Sequence, residues 1–290
     1  MMNRRSFLKK AFGGMLTLIG LGGGSYVYAR EVEPNMLHNN HQKIVSANIP
    51  PAFKNFKIIQ FSDTHVGFHY TIDQFEQLVL TINNEAPDVI VFTGDLIDEP
   101  QSYMLTDRLI ETLQTLQAPH GKYWIYGNHD HGGYGTQIVK DIMDQAGFTL
   151  LKNSHIFIQQ QNEHIVLAGI DDVMLGNPNI AKALEGVDPN LFTILLAHEP
   201  DIADVAATYP VNLQLSGHSH GGQVRLPFIG HLYTPAFAEK YIQGKYMLQN
   251  DHMALYVSRG IGTTRLPFRF LCKPEFYTFT LTNTASDGLS

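Results

Sequence analysis

Apolar positions fall into two alternating kinds of segment along the first half of the chain. Runs of strand length, such as 56–61 and 89–92, alternate with stretches of helical period, such as 73–85. This alternation predicts parallel strands joined by crossover helices. After residue 148 the apolar runs become shorter. The pattern as a whole predicts an α/β fold in which two sheets pack together with helices outside.

The same pattern bounds the individual elements. A capping box at Asp73 and Glu76 is expected to open the first helix, and Pro50-Pro51 is expected to end a short edge strand at 43–49. The chain from 241 to 281 is expected to be mostly extended. Further strands are predicted at 56–61, 89–92, 123–126, 156–159, 165–168, 193–196 and 213–215, and helices at 73–85, 105–116, 136–146, 180–184 and 202–207.

The first 30 residues differ from everything that follows them. A basic start containing Arg4 and Arg5 precedes an uncharged, glycine-containing apolar run at 11–29. Basic, apolar and small-residue blocks in this order are typical of an export signal, and paired arginines followed by Phe-Leu-Lys resemble a twin-arginine signal. The alternative is an anchoring helix with a chance Arg-Arg pair. Cleavage after Ala29 and retention as an anchor both remain open.

The chain divides into four segments by composition. Residues 1–30 form the signal or anchor segment, 31–40 a polar linker, 41–281 one domain, and 282–290 a polar C-terminal tail. Residues 41–281 show no internal repeat and no break in composition. With 290 residues, of which 44% are hydrophobic and 16% charged, the chain is long and apolar enough to bury a sizeable core.

Charge and cysteine content exclude several kinds of function. The chain has 27 acidic and 20 basic residues, and four of the bases lie within the first ten positions. Such an acidic body argues against nucleic acid as a partner, because nucleic acid is held by a basic surface. The single cysteine, Cys272, excludes an internal disulfide and a thiolate-rich metal cage. Fourteen histidines indicate instead a metal site of nitrogen and oxygen ligands.

Five short polar motifs follow directly on predicted strands. In open α/β sheets, ligands gather beyond the carboxyl ends of the strands, so these motifs are expected to converge. A glycine precedes Asp95, Asn128 and His218, where the backbone is expected to turn tightly off its strand. Any one of these residues alone would more often cap a turn, but chance explains the ordered set poorly. The motifs are Asp63-Thr64-His65, Gly94-Asp95-Leu96-Ile97-Asp98, Gly127-Asn128-His129-Asp130, Ala197-His198-Glu199 and Gly217-His218-Ser219-His220.

The side chains in these motifs predict a pair of metal ions. Seven Asp, Asn and His donors are too many for one tetrahedral zinc ion, and they suit two ions that share one carboxylate. Metal pairs of this kind serve phosphoryl chemistry, with a hydroxide between them as the nucleophile. Nitrogen and oxygen ligands without thiolate admit manganese, iron or zinc. The seven residues are Asp63, His65, Asp95, Asn128, His198, His218 and His220.

Taken in order, these motifs resemble those of the calcineurin-like metallophosphoesterases. The resemblance covers residues 41–281 and implies a four-layer α/β/β/α sandwich of two mixed sheets with a dinuclear metal centre. It also implies which residues serve each ion. The first metal would be held by Asp63, His65, Asp95 and His220, and the second by Asp95, Asn128, His198 and His218, with Asp95 as the bridging ligand.

The resemblance further implies catalytic roles and a substrate class. His129 matches the family's catalytic histidine outside the metal shell, and Asp98 matches the acid that orients it. Residues 217–223 and 258–262 look most like an exported, twin-arginine-dependent phosphodiesterase subgroup, which is also similar to enzymes that cleave the pyrophosphate of UDP-linked acyl sugars. Protein serine/threonine phosphatases carry Asp-Arg-Gly after the second motif, where this chain has Asp98-Glu99-Pro100, so protein phosphatase activity is not expected.

The sequence therefore predicts an exported, metal-dependent phosphoesterase that acts on a phosphodiester or pyrophosphate of the cell envelope. The location implied is the cell wall or the outer face of the cytoplasmic membrane, and the export partner implied is the twin-arginine machinery. A pyrophosphatase of nucleotide-linked sugars or lipids is the enzymatic alternative. A binding module that lost its chemistry is the other alternative, but no ligand position is missing.

Several residues beside the motifs are given secondary roles. Asp171 and Asp172 are expected to cap a turn, and His69 and His131 are expected to lie in solvated loops. Cys272 is expected to be a small buried residue. The candidates for bidentate phosphate contacts are Arg225, Arg259, Arg265 and Arg269.

Overall fold

Strands make up most of the regular structure of the protein. The structure is a computed structural model and describes residues 22–131, 135–249 and 252–283. The strands are β1 (His38–Ser46), β2 (Lys57–Phe61), β3 (Val89–Phe92), β4 (Lys122–Trp124), β5 (Phe148–Leu150), β6 (Ser154–Gln160), β7 (Glu163–Gly169), β8 (Thr193–Leu196), β9 (Leu213–Ser216), β10 (Arg225–Leu226), β11 (Gly230–His231), β12 (Gly244–Leu248), β13 (Met253–Val257) and β14 (Glu275–Asn283).

Helices connect most of the parallel strands. Three of them are long enough for several turns, and the others are short. Residues 22–27 are also helical and run into a π-helical turn at Tyr28–Val32. The α-helices are α1 (Ile72–Asn84), α2 (Thr106–Gln114), α3 (Thr136–Gln145), α4 (Ile180–Ala183) and α5 (Ala203–Ala206), and single 3-10 turns lie at Glu33–Asn35, Pro51–Phe53, Pro200–Ile202 and His220–Gly222.

The strands form two six-stranded mixed sheets. The first has the order β1-β14-β2-β3-β4-β5, in which β2, β3, β4 and β5 are parallel and β14 is antiparallel to β2. The second has the order β12-β13-β9-β8-β7-β6, in which β13, β9, β8 and β7 are parallel. Strands β10 and β11 form a separate hairpin. The α/β class with two sheets is confirmed.

Three apolar cores separate four layers. In the first core, Phe61 of the first sheet packs with Phe75 of α1. The second core lies between the sheets and contains Val91 and Leu196. Neighbouring side chains of one strand point to opposite faces of the sheet, so the residue before Leu196, Leu195, enters the third core, which is formed with α4 and α5. The order of layers is helix, sheet, sheet, helix, as predicted.

Helix α1 begins one residue earlier than its periodicity predicts. Thr71 has the extended backbone of an N-cap, and its side chain accepts a hydrogen bond from the backbone N–H of Gln74, 3.2 Å away. The Gln74 side chain accepts in return from the Thr71 N–H at 2.7 Å. The capping box predicted at Asp73 and Glu76 is therefore wrong, because both carboxylates instead pair with Arg108 of the neighbouring helix.

The segment predicted as a linker, 31–40, is part of the folded body. It contains a 3-10 turn and the start of β1, which pairs in parallel with β14 from His38 onward. Glu33 is buried, and its carboxylate accepts hydrogen bonds from the backbone N–H groups of Leu271 and Cys272. The structure differs from the linker prediction: residues 31–35 form helical turns, and 38–40 begin the half-exposed edge strand β1.

The predicted export signal lies largely outside the described residues, as does most of the predicted C-terminal tail. The part of the N-terminal segment that is described, from residue 22, packs on the loop that precedes β14: the rings of Tyr26 and Phe268 lie 5.4 Å apart. Among the helices of the described ranges, none is long and apolar enough to cross a membrane.

Candidate functional site

The predicted site residues lie where strands of both sheets end. Asp63 follows β2 and Asp95 follows β3 in the first sheet, while His198 follows β8 and His218 follows β9 in the second. Within each sheet these strands are parallel, so their carboxyl ends share an edge. The fold thereby brings together residues that are up to 157 positions apart in sequence, since the loops containing His65 and His220 also meet there.

One cluster combines both sheets. Asp63, His65 and His220 each offer a ligand atom within 4.8 Å of the others, and all three side chains are buried. The two Nε2 atoms of His65 and His220 lie 3.1 Å apart, and His220 Nε2 lies 3.7 Å from Asp63 Oδ1. This arrangement matches three of the four residues predicted for the first metal.

A second cluster lies beside it and is formed by Asp95, His198 and His218. His198 Nε2 is 3.3 Å from Asp95 Oδ2 and 3.2 Å from His218 Nδ1. The same Asp95 oxygen is 3.5 Å from His65 Nε2 in the first cluster. Asp95 therefore faces both clusters, in the position that a bridging carboxylate needs.

Most of the predicted metal ligands also have an unusual backbone conformation, with a positive φ angle. A positive φ is uncommon for a residue with a side chain, and it persists only where the surrounding structure holds it. Conformations of this kind concentrate at functional sites. Five of the seven predicted ligands adopt one: Asp63 (φ 53°), His65 (φ 42°), Asp95 (φ 62°), His218 (φ 67°) and His220 (φ 49°).

The glycines in the motifs are required for two different reasons. Gly94 has a φ of +98°, which fits the predicted tight turn after β3. Gly217 has ordinary φ, but a Cβ there would collide with the side chains of Ser62 and Asp63. At this second position the glycine permits close approach of the two sheets' loops, which the sequence analysis did not predict.

Burial and neighbouring charges shift the pKa values of the residues in both clusters. Burial raises the pKa of Asp63 above its ordinary value. Burial also acts to raise the pKa of Asp95, but the neighbouring histidines, His198 with His129 and His65, together outweigh it and hold that pKa well below the usual range. For His218, burial and the charge of His198 lower the pKa to about 3. Burial also acts to lower the pKa of His198, but the carboxylates of Asp95, Asp63 and Glu199 outweigh it and raise that pKa well above its ordinary value. Metal binding at His198 would therefore displace a proton.

A buried polar atom of Asn128 supports a fit to metal ions. Its Oδ1 has no hydrogen-bond partner among the residues that the structure describes. A buried polar atom without a partner costs about 1–3 kcal/mol, so such atoms need a ligand or a water. Asn128 belongs to the predicted second set of ligands, and an amide oxygen is a suitable donor for a divalent cation. The residues present therefore fit a dinuclear centre.

The Asp98 carboxylate lies closer to His65 than to His129, which is the partner predicted for it. Its carboxylate Oδ1 is 3.1 Å from His65 Nδ1 but 3.8 Å from His129 Nδ1. His129 is held instead by the backbone carbonyl of Asp98, at 3.2 Å, and by its own N–H, which donates to Asp95 Oδ1 at 2.8 Å. Asp98 thus orients a predicted metal ligand with its side chain and the predicted catalytic histidine with its main chain.

Asp130 has a positioning role that the sequence analysis missed. Its buried carboxylate accepts hydrogen bonds from the backbone N–H groups of Asp95 (2.6 Å), Leu96 (2.9 Å) and Gly127 (3.0 Å). It therefore ties the loop after β3 to the loop after β4. Burial and the charge of Asp95 raise the pKa of Asp130 to about 7. Its place beside His129 in the third motif was the available signal.

All four candidate arginines make contacts within the protein. Arg269 is fully buried and donates to the carbonyl oxygens of neighbouring loops, and Arg259 pairs with Glu275. Arg225 donates to the Gly221 carbonyl at 2.9 Å. Arg265 is exposed and its Nη1 donates to the hydroxyl of Tyr233 at 2.6 Å.

The remaining secondary predictions are mostly confirmed. Asp171 and Asp172 accept hydrogen bonds from backbone N–H groups of the following loop, which is the predicted capping role. His69 is exposed and Cys272 is buried. His131 differs from the prediction, since its Nε2 lies 3.0 Å from Asp171 Oδ1 rather than in a solvated loop.

Buried Asp, Asn and His donors at the shared edge of two sheets, arranged to hold two cations around one carboxylate, define a metal-dependent hydrolase. A family match makes the class specific: residues 56–222 match the calcineurin-like phosphoesterases, and the chain belongs to that family. The protein is accordingly a metallophosphoesterase, with the dinuclear divalent metal centre that this family uses.

Three relatives extend this assignment over the rest of the chain. The chain is 48% identical over 284 residues to the uncharacterized metallophosphoesterase YkuE of Bacillus subtilis, covering 98% of this chain and 99% of that protein. It is 33% identical to an uncharacterized metallophosphoesterase of Aquifex aeolicus, covering 80% and 87%. It is 27% identical to the phosphodiesterase YaeI of Escherichia coli, covering 95% and 97%.

Proposed function

We propose that the protein hydrolyses a phosphodiester bond at the edge where the two sheets meet. The observation that supports this most directly is the shared position of Asp95 between two buried ligand clusters. The name of the Escherichia coli relative supports a diester rather than a monoester. The residues proposed to hold the two ions are Asp63, His65, Asp95, Asn128, His198, His218 and His220.

Each protein group has a distinct part in the proposed reaction. When bound, divalent cations supply a water nucleophile of lowered pKa and offset negative charge on phosphoryl oxygens. Asp98, through His65 Nδ1, fixes the ring so that Nε2 faces the cluster. The buried Ser62 hydroxyl donates to the Asp63 carboxylate and fixes its rotamer. These contacts preorganise the site before any substrate arrives.

His129 is proposed as the group that gives a proton to the leaving oxygen. Its Nδ1 is fixed by the carbonyl of Asp98, which leaves Nε2 as the nitrogen for proton transfer. Burial opposes the charged ring, but the carboxylates of Asp95, Asp98 and Asp130 and the Asp98 carbonyl together outweigh it and raise the pKa of His129 above its ordinary value. A raised pKa keeps the acid form populated near neutral pH, as a general acid requires.

A substrate panel tests this function. Metal-loaded full-length protein would be assayed on bis(4-nitrophenyl) phosphate, 4-nitrophenyl phosphate and a nucleotide pyrophosphate, before and after chelation. We expect the diester to be hydrolysed fastest and chelation to abolish all turnover. Faster hydrolysis of the pyrophosphate would favour the pyrophosphatase alternative. Metal-loaded protein that left every substrate intact would contradict the proposal.

We also propose that the protein is exported by the twin-arginine machinery and acts in the cell envelope. The basic start with Arg4 and Arg5, followed by an uncharged apolar run, supports this. Packing of Tyr26 on Phe268, and the hydrogen bond from the Arg269 N–H to the Ala29 carbonyl at 2.8 Å, support retention of the segment rather than cleavage after Ala29.

Localisation of a charge-conserving variant tests export. Arg4→Lys combined with Arg5→Lys keeps both charges but removes the planar guanidinium groups. We expect this protein to stay in the cytoplasm while its activity in lysate is unchanged. The matched control is Lys9→Arg combined with Lys10→Arg, which should be exported normally. Normal export of the first variant would show that another pathway is used.

A further inference from the structure

An apolar groove of about 780 Å³ adjoins the candidate metal centre. Its lining includes His218 and His220, which are buried and are proposed metal ligands. Its walls also include half-exposed or exposed side chains such as Leu226, Leu266 and Phe268. A volume of this size is typical of a small-molecule site. The chemistry at the metal centre does not use these apolar walls.

The outer rim of the groove is also apolar. Leu232 and Leu266 line the groove and are more than half exposed. At the tip of the adjacent β10–β11 hairpin, Phe228 is fully exposed and Ile229 is 70% exposed. Large exposed apolar patches on a protein surface mark sites for apolar partners. The rim therefore continues the apolar surface of the groove out to the solvent.

The scarcity of charged side chains in the groove restricts the kind of ligand that it can bind. Among the described residues that line the groove, Arg265 carries the only permanent charge, and its guanidinium is stacked on the ring of Tyr233 at 4.8 Å. A nucleotide or sugar would place many polar groups against such walls without partners, at a cost for each. A hydrocarbon chain would instead gain from burial there.

Part of the groove wall is formed by the N-terminal segment. Residues Gly22, Ser25, Tyr26 and Ala29 form part of its wall. The 11 residues immediately before them, 11–21, carry no charge in the sequence and follow a basic start. The groove wall therefore includes the residue that directly follows, in sequence, a segment of membrane-anchoring composition.

We propose that the groove binds the alkyl chain of a lipid phosphoester, with the phosphate at the metal centre and the chain leading out towards a membrane surface. This deepens the proposed function and rests on it, because the groove lining includes one histidine from each ligand cluster, His218 and His220. The substrate class is therefore an amphiphile, and the length of its alkyl chain determines how well it binds.

A homologous series of substrates tests the groove in the full-length, metal-loaded protein. The substrates are 4-nitrophenyl alkyl phosphates with methyl, butyl and octyl groups, below their aggregation limits. Because a fully buried methylene is worth about fourfold in affinity, we expect kcat/KM to rise at least about tenfold from methyl to octyl even with partial burial. The leaving group is the same in all three, so the comparison isolates the chain.

Two leucines of equal exposure provide the matched variants. Leu266 in the groove and Leu80 on α1 are both 55% exposed. Leu266→Glu should remove most of the methyl-to-octyl difference while hydrolysis of the methyl ester is unchanged, and Leu232→Glu should do the same. Leu80→Glu should keep the whole difference. If Leu266→Glu and Leu80→Glu behaved alike, the groove would have no role in binding the chain.

A binding measurement separates this proposal from the proposed function. Octylphosphocholine below its micelle concentration should raise the thermal unfolding midpoint of the native protein more than phosphocholine does, and Leu266→Glu should lose that difference. Binding of this kind without hydrolysis of any ester would contradict only the proposed function. Hydrolysis of the methyl ester with no dependence on chain length would overturn the groove. Hydrolysis that does not depend on alkyl length is also expected if residues 1–21 of the protein, and not a lipid, occupy the groove.

Discussion

The two halves of the candidate metal centre are fixed in place by different groups. In the half formed by the first sheet, carboxylates do the fixing. Asp98 orients the ring of His65 from 3.1 Å, and Asp130 accepts three backbone N–H groups of the loops that contain Asp95 and Gly127. Because these supports are side chains, substitution can remove them one at a time.

In the half formed by the second sheet, backbone carbonyls do the fixing. His198 Nδ1 lies 2.6 Å from the carbonyl oxygen of Thr93, and His218 Nε2 lies 2.9 Å from that of Ala236. Thr93 directly follows β3 of the first sheet, so this contact also joins the two sheets. The comparison shows that substitutions can alter the supports of the ligands in the first half. In the second half the supports are main-chain carbonyls, so the ligand positions depend on the course of the backbone.

The largest effect is expected where the two halves meet. Asp95→Asn keeps the shape of the side chain but removes the negative charge that faces both clusters. We expect no measurable turnover and the loss of at least one metal ion per chain in elemental analysis. Metal-induced stabilisation should fall as well, since bound ions stabilise the folded state by mass action. The control Asp107→Asn, on an exposed turn of α2, should be neutral; an Asp95→Asn protein with both metals and normal turnover would refute the shared position.

The next largest effect concerns His129, which belongs to the first half but to neither metal set. General acid catalysis contributes about 10²–10⁴-fold, so His129→Ala should lose that factor on alkyl diesters. It should lose visibly less on nitrophenyl diesters, because nitrophenolate leaves without a proton. Metal content should not change.

The control for this prediction is His69→Ala, since His69 is an exposed neighbour of the first motif. Equal losses on both classes of diester would mean that His129 stabilises phosphoryl oxygens instead. Loss of a metal ion from His129→Ala protein would place this residue among the ligands.

A smaller effect is expected from the support of His65. Asp98→Asn weakens the partner of a metal ligand, and changes of this kind typically cost about 10–100-fold in metal affinity or activity. Excess metal in the assay should therefore restore most of the activity. If excess metal failed to restore it and the loss depended on the leaving group, the Asp98 side chain would serve His129, as the sequence analysis predicted.

The smallest effect on catalysis is expected from Asp130. Asp130→Asn leaves an oxygen acceptor but cannot satisfy all three buried N–H groups, and each unsatisfied group costs about 1–3 kcal/mol. We expect urea denaturation of the metal-free protein to show that loss of stability, with kcat reduced less than in Asp98→Asn. Unchanged stability would mean that Asp130 does not hold the two loops together.

The sequence predicted the centre of the fold and of the site better than their margins. Strands β3 and β8 occur within the residues predicted, because a fully buried strand is a continuous apolar run with clear ends. The motifs directly follow such strands, so their convergence could be expected from the topology of parallel sheets.

Long-range pairing and side-chain orientation could not be predicted in this way. Strand β1 pairs with β14, more than 200 positions away, and its half-exposed sequence carries no strong period. The choice of Asp98 between His65 and His129 depends on distances that differ by less than 1 Å. The apolar groove combines the N-terminal segment with loops after β9 and before β14, and nothing local in those segments indicates it.

The central claim is that two metal ions act together across the two halves. Its most direct test is the titration of metal-free protein with Mn²⁺ in known equivalents, with hydrolysis of bis(4-nitrophenyl) phosphate as the readout. The account predicts that activity rises until two equivalents per chain are bound and then stays constant. A plateau at one equivalent, or no activity at any ratio, would contradict it.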